Sequence, residues 1–288
     1  MKYQFVARHQ DKYAVSRICA SLGISRSSYY ALKKRKPSQR EHNMQILLKH
    51  IQRIHKLSRR TYGSPRVHAE LSRQGISCNR KTVAKLMRLH GLQGQRKRHR
   101  VITTHSDHCF PIAVNLLNQD FHADRPNQKW VADITYISTA EGWLYLAGVL
   151  DLFSRKAVGW EMSSRIDADL VEKVLRMALY QRQPGLGLIH HSDRGSQYAS
   201  YQIRNLLAAN QIQVSMSGKG NCYDNAVMES FFSTLKNEWV HHQRYQTRSQ
   251  ARSDVFRYIE GFYNTVRLHS SLGYLSPNEF EAKFCNNP

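Results

Sequence analysis

Three carboxylates stand at positions where a carboxylate needs a reason. Asp133 lies midway along the strand-like stretch KWVADITYIS, Asp193 follows a short apolar run in HHSDRGSQY, and Glu229 sits in the helical stretch DNAVMESFFSTLKNE. Strand alternation puts Val131, Asp133, Thr135 and Ile137 on one face and Trp130, Ala132, Ile134 and Tyr136 on the other. A buried, unpaired carboxylate is costly, so Asp133 should take up a proton, meet a cation or hold a metal. On the helix, Met228, Phe232, Leu235 and Trp239 make an apolar stripe, and Asn225, Glu229, Ser233 and Lys236 line its adjoining edge. Neither 131–137 nor 186–193 contains Lys or Arg. Hard carboxylate oxygens without resident cations suit Mg²⁺ or Mn²⁺. Two such ions about 3.5–4 Å apart activate a water or hydroxyl and stabilise the leaving oxygen of a phosphodiester. Each acid also has a structural alternative: an ion pair for Asp133, a turn for Asp193, a surface helix position for Glu229.

The elements around these acids follow a recognisable order. Three strand patterns, KWVADITYIS, WLYLAGVLDLF and AVGWEM, are separated by turns at EG and SRK. A helix over 167–181 follows, then a short strand ending at His190, a helix over 200–209, a strand over 212–216 and a long helix from Asp224 or Asn225. Right-handed crossovers lay the fourth strand parallel beside the first. The expected fold class is α/β: a ribonuclease H-like mixed five-stranded sheet with flanking helices, preceded by an all-α helix-turn-helix region. Asp193, at the carboxyl end of the fourth strand, would then meet Asp133.

The charge has its own geography. The chain has 288 residues and a formal net charge of +22, and residues 1–100 hold 25 of the 43 Lys and Arg with only Asp11, Glu41 and Glu70. Such a block points to a polyanion, with nucleic acid first among candidates. Segment 14–31 reads as a helix-turn-helix, with Val15, Ile18, Cys19 and Leu22 inward, Gly23 at the turn, Ser25 as cap and Tyr29 on the inner side. Met44, Leu47, Leu48, Ile51 and Ile54 make the stripe of another helix. A second pair spans 62–91: Ser64 can cap before Pro65, and Asn79 caps a helix whose Val83, Leu86, Met87 and His90 face inward. Arg80, Lys81, Lys85 and Arg88 are left free to face a DNA groove. Arg96, Lys97 and Arg98 continue the basic run into a phosphate-tracking connector. The expected domains are a basic helix-turn-helix region at 1–60, a second helical DNA-binding region at 61–100, a linker at 101–126 and a catalytic domain with a helical extension at 127–288.

Several classes fall away. The longest clean apolar run, from Trp143 to Leu150, is far below the roughly 18 residues of a spanning helix, so no membrane partner is expected. Five scattered Cys with no CxxC spacing read as reduced thiols in a cytoplasmic protein. GKGN at 218–221 lacks the spacing of a nucleotide-binding loop and reads as a flap whose Lys219 reaches phosphate. His190 and His191 are open as metal ligands. Asp151 is expected to pair with Arg155, and Asp224 to cap the long helix.

Together WVADITYIS, HSDRGSQY and SGKGNCYDNAVMESFFSTLKNE, with 35 residues between the second and third acids, resemble the DDE transposases of the insertion-sequence family named for element IS three. YGSPRVHAEL ahead of them and YIEGFYNTVRLHSSLGYLSP after them extend the resemblance over nearly the whole chain. It implies an integrase-type core in which Asp133, Asp193 and Glu229 are the metal-binding catalytic triad, with Lys236 at the family's basic position after the glutamate. It also implies a Mg-dependent enzyme that cuts one strand at an element end, joins the freed 3′-hydroxyl to the other end and later integrates the element into target DNA. The implied partners are double-stranded DNA of element ends and target, further copies of this chain on paired ends, and the product of an upstream reading frame. The implied place is the bacterial nucleoid. The alternative is a non-catalytic DNA-binding regulator that retains the fold.

Overall fold

The computed structural model describes residues 2–34, 38–95, 111–218 and 222–286. The chain forms two compact units, Met1–Gln52 and Arg53–Pro288. The first holds α1 (Lys2–His9), α2 (Val15–Ser21), α3 (Arg26–Lys34) and most of α4 (Gln39–Leu57). Val6, Ile18, Cys19 and Tyr29 make its small core. The helix-turn-helix forms as expected: Gly23 takes a positive φ of 63° between α2 and α3, and Ser25 Oγ accepts from Ser28 N at 3.5 Å. Helix α1 was not foreseen, because Val6 is its one buried residue and a single apolar position carries no period.

In the second unit α5 (Ser64–Arg73) and α6 (Arg80–Leu89) form the second helix pair. Gly63, rather than Ser64, takes the N-cap position, and Ser64 is already helical. Asn79 Oδ1 does cap α6, accepting from Lys81 N at 2.7 Å. Val83, Leu86 and Met87 are buried as expected, but His90 is exposed. As the C-cap residue it has left helical geometry and no longer continues the stripe.

The sheet follows: β1 (Lys129–Thr139), β2 (Gly142–Asp151) and β3 (Ala157–Ser163), then α7 (Ala168–Arg182), β4 (Ile189–Ser192), α8 (Ser196–Ala199), α9 (Tyr201–Ala209) and β5 (Gln213–Met216). Strand order is β3-β2-β1-β4-β5, with β1 antiparallel to β2 and parallel to β4. The long helix α10 (Ala226–Glu238) is followed by α11 (Arg248–Tyr258) and α12 (Pro277–Asn286). This is the expected five-stranded ribonuclease H-like sheet.

Two glycines reveal which helix covers which face. A Cβ on Gly159 would fall 2.5 Å from Val174 O, so α7 presses directly onto β3. A Cβ on Gly148 would meet Met228 Cε at 3.2 Å and Phe232 at 3.7 Å, which puts α10 on the alternate face. Asp133 pairs across the strands with Gly148 and therefore shares the α10 face. Trp130, Ala132 and Val149 build the main core under α7 and α9.

Helix α5 is tied to the C-terminal segment. Tyr62 OH donates to Val266 O at 3.0 Å and accepts from Leu268 N at 2.8 Å, and Arg66 Nε donates to Leu268 O at 3.0 Å. Residues 111–126, read from the sequence as linker, also reach the core, with Leu117 and Ala123 buried.

Candidate active site

Asp133 and Asp193 are brought together at the junction of β1 and β4. Asp133 is half-buried, and its Oδ1 accepts from Ile134 N at 2.7 Å. Its carboxyl is pushed up to about 8, first by burial and then by the charge of Asp193, while Lys236 pulls the other way. Asp193 leaves β4 in a tight turn whose Gly195 N donates to its Oδ1 at 2.9 Å. A Cβ on Gly195 would fall 3.0 Å from that same oxygen, so a side chain there would crowd the acid. Arg194 Nε donates to Ser217 O at 2.6 Å.

Helix α10 brings the remaining candidates. Asn225 Nδ2 donates to Ala132 O at 3.1 Å, anchoring the helix start one residue from Asp133. Glu229 follows in the first turn and is half-exposed. Lys236, two turns on, holds its Nζ 4.4 Å above the centre of the Tyr136 ring. Burial lowers the pKa of that amine, against the opposing pull of Asp133. Among the described residues no three His, Cys, Asp or Glu side chains stand close enough together to hold a metal ion. Asp133 and Asp193 form a pair, and Glu229 lies on the helix beside it. The chemistry of that pair fits a hard divalent cation: two crowded carboxylates, the strand-centre one unable to ionise easily until positive charge arrives.

Neighbouring groups take other work. The ring nitrogens of His191 face Ser215 Oγ at 2.8 Å and Ser217 Oγ at 3.2 Å, and burial lowers its pKa to about 4. His190 is buried beside Tyr198, with burial lowering its pKa to about 3. Asp151 does not pair with Arg155. Its Oδ2 accepts from Arg182 Nη2 at 3.1 Å and from Asn127 N at 2.8 Å, and Arg182 also binds Glu281. Arg155 follows Asp151 across a tight turn and gives it only a backbone bond, so the guanidinium of α7 reaches the acid instead. Asp224 does not cap α10. It is buried and accepts from Asn115 Nδ2, Gln119 Nε2 and Gly218 N, fastening two loops beside the site. Tyr198 was missed: its hydroxyl is raised well above its ordinary pKa by burial and then by Asp133 and Asp193, which puts it beside the pair. Its position five residues after Asp193 was the available signal.

Of the basic residues, Arg80, Lys81, Lys85 and Arg88 are all exposed on α6. Arg96, Lys97, Arg98 and Lys219 lie outside the described residues. Among the described residues no helix is long and apolar enough to cross a membrane.

Comparison with known proteins gives concordant results. The Integrase core domain family matches residues 123–222 and again 210–277, and the HTH-like domain family matches 41–100. The insertion element IS600 uncharacterized 31 kDa protein of Shigella sonnei is 46% identical over 267 residues, covering 93% of this chain and 98% of that one. The transposase InsF for insertion sequence IS3A of Escherichia coli K12 is 43% identical over 289 residues, covering 98% of this chain and 99% of that one. A simian T-cell lymphotropic virus intasome structure aligns with a TM-score of 0.47 at 15% identity, over 74% of this chain and 70% of that one.

Proposed function

This chain belongs to the insertion-sequence IS3 transposase family, with an HTH-like domain and an integrase core, and on that premise we propose that it cuts and joins DNA by divalent-metal chemistry at Asp133, Asp193 and Glu229. The observation that carries the reading is the Asp133 carboxyl, pushed up to about 8 by burial and by Asp193. A structural acid is normally matched by a cation; at this one burial and the second acid outweigh the pull of Lys236. Asp133 and Asp193 would hold Mg²⁺ or Mn²⁺, and Glu229 would complete the set from α10. When bound, such ions activate a water or hydroxyl and offset charge on the leaving oxygen.

The rest is work for the chain's own groups. Exposed Arg80, Lys81, Lys85 and Arg88 on α6 hold element-end DNA through its phosphates. Arg96, Lys97, Arg98 and Lys219 extend that hold, and Lys236 pins a phosphate next to the acids. One strand is cut at an element end, the freed 3′-hydroxyl attacks the other end, and a later strand transfer integrates the element into target DNA. Paired ends call for more than one copy of the chain, acting with an upstream reading frame product on the nucleoid in the cytoplasm. The test is cleavage of element-end DNA in Mg²⁺. Asp133→Asn, Asp193→Asn and Glu229→Gln should each lower cleavage at least about a thousandfold while DNA binding stays within about twofold. Full activity in any one of them removes that residue from the triad, and DNA binding without cleavage in the parent protein favours a regulator.

A further inference from the structure

Beyond the acids, the β1–β2 hairpin gathers aromatic groups on the face of β1 opposite Asp133, and Lys236 of α10 meets them there. Lys236 Nζ lies 4.4 Å over the Tyr136 ring, and that ring meets Trp143 edge-on, with centroids 4.9 Å apart and planes at 77°. Trp143 is 50% exposed. It pairs with Ser138 across the β1–β2 ladder, so it sits on the same face as Tyr136, one step further from Asp133. At about 3.4 Å per strand residue, Tyr136 is about 10 Å and Trp143 about 17 Å along β1 from Asp133. Arg248 secures the hairpin carrying Trp143: its Nε donates to Trp143 O at 3.1 Å, and its N donates to Glu141 Oε2 at 2.7 Å. Gly142 leaves room for it, at a φ of +101° that favours glycine and with an ideal Cβ only 3.1 Å from Arg248 Nη2.

We propose that Tyr136, Trp143, Lys236 and Arg248 form a binding strip for unpaired nucleotides of the DNA strand leading away from the cut. The strip rests on the reading of Asp133 as part of the cutting site. A cross-strand aromatic pair would stabilise the hairpin by itself, but hairpin packing explains neither the open Trp143 face nor a lysine brought over Tyr136 beside an acid. Alternating rings and cations are what single-stranded nucleic acid requires: each base has a face that stacks on an aromatic ring, and the cations follow the phosphates. Such a strip tolerates any base, so it would hold a strand end without reading its sequence.

The test measures binding in the full chain carrying Asp133→Asn, so its result does not depend on cleavage. The probes are a blunt duplex and the same duplex with an oligo-dT tail bearing 2-aminopurine next to the junction. The tailed probe should bind more tightly than the blunt one, with 2-aminopurine quenched on binding. Trp143→Ala should weaken the tailed probe about tenfold, remove the quench and leave the blunt probe unchanged, whereas Trp143→Phe should retain most of the preference. Equal binding of both probes by the parent, or equal loss for both probes in Trp143→Ala, overturns the strip. Unchanged tail binding with an altered oligomeric state would also overturn it, showing Trp143 to be a contact between copies of this chain. Cleavage assays on the triad variants stand apart: their failure would sink the metal reading without touching this measurement.

Discussion

The two ends of α10 carry opposite electrostatic designs. Near its start lies the pair of Asp133 and Asp193, where a carboxylate in the middle of a strand faces another carboxylate and is pushed up to about 8. At its last residue Glu238 is buried, and it accepts from Arg267 Nε at 2.8 Å, Arg267 Nη2 at 2.7 Å, Tyr258 OH at 2.9 Å and Arg66 Nη1 at 3.4 Å. Arg59 adds to that end by stacking over the rings of Trp239 and Phe262 at 4.7 and 5.3 Å. At the end of α10 two guanidinium groups meet the acid, whereas at its start burial and a second carboxylate push the acid's pKa up. Net charge cannot tell the two apart. Local compensation can.

Breaking the compensated end should have the largest effect on stability. Glu238→Ala leaves the Arg267 guanidinium, 6% exposed, without its partner and should cost about 3–5 kcal/mol in urea unfolding. Glu238→Leu with Arg267→Met should recover most of that loss, because a matched apolar pair leaves no buried charge. A loss below about 1 kcal/mol for Glu238→Ala would mean that water already reaches the cluster and that the contrast is false.

At the start of α10 the sign reverses. In metal-free buffer at pH 8, Asp133→Asn should raise stability by at least about 1 kcal/mol, because it removes a charge that burial and Asp193 both disfavour. Adding Mg²⁺ should stabilise the parent protein and leave the variant nearly unmoved, since only an ion that binds the folded state shifts unfolding. A variant less stable than the parent without metal would show that Asp133 already has a compensating partner.

These contrasts were unevenly legible in the sequence. Alternation along β1 revealed Asp133, helical spacing revealed Glu229 and Lys236, and the order of strands and helices predicted the sheet, because each is a local periodicity. What escaped was pairing over long sequence separation. Asp151 finds Arg182 from α7 rather than nearby Arg155, and Tyr62 binds Val266 and Leu268 across about two hundred residues. Neither pairing leaves a period to read. Asp224 looked like a helix cap because it precedes α10, and only the folded chain shows Asn115, Gln119 and Gly218 converging on it. Tyr198 is a different case: it stood inside a quoted motif five residues after Asp193, and what the sequence did not show is that the short helix α8 after that turn buries its hydroxyl near both acids.

The smallest effect should sharpen the comparison from the cationic side. His269 is buried, with its ring 4.9 Å from Tyr263 and its Nε2 3.4 Å from Arg267 Nη1. Burial first, and then the charges of Arg267, Arg66 and Arg155, lower its pKa to about 2. The charge of Glu238 is already committed to Arg267 and Arg66 and does not offset this. In the unfolded chain the same imidazole titrates near 6.5, so below that pH the unfolded state binds a proton that the folded state refuses. The stability due to neutral His269 is therefore fully present above about pH 6.5 and is lost as pH falls toward 2. Between pH 7 and pH 6 this one group should remove about 0.7 kcal/mol, and His269→Gln should lose correspondingly less over the same interval. His190 and His191 act in the same direction and remain in the variant, so the measurement is the difference between the two slopes. Identical slopes would mean that His269 accepts its proton in the folded protein and that the cluster at the end of α10 is not saturated with positive charge.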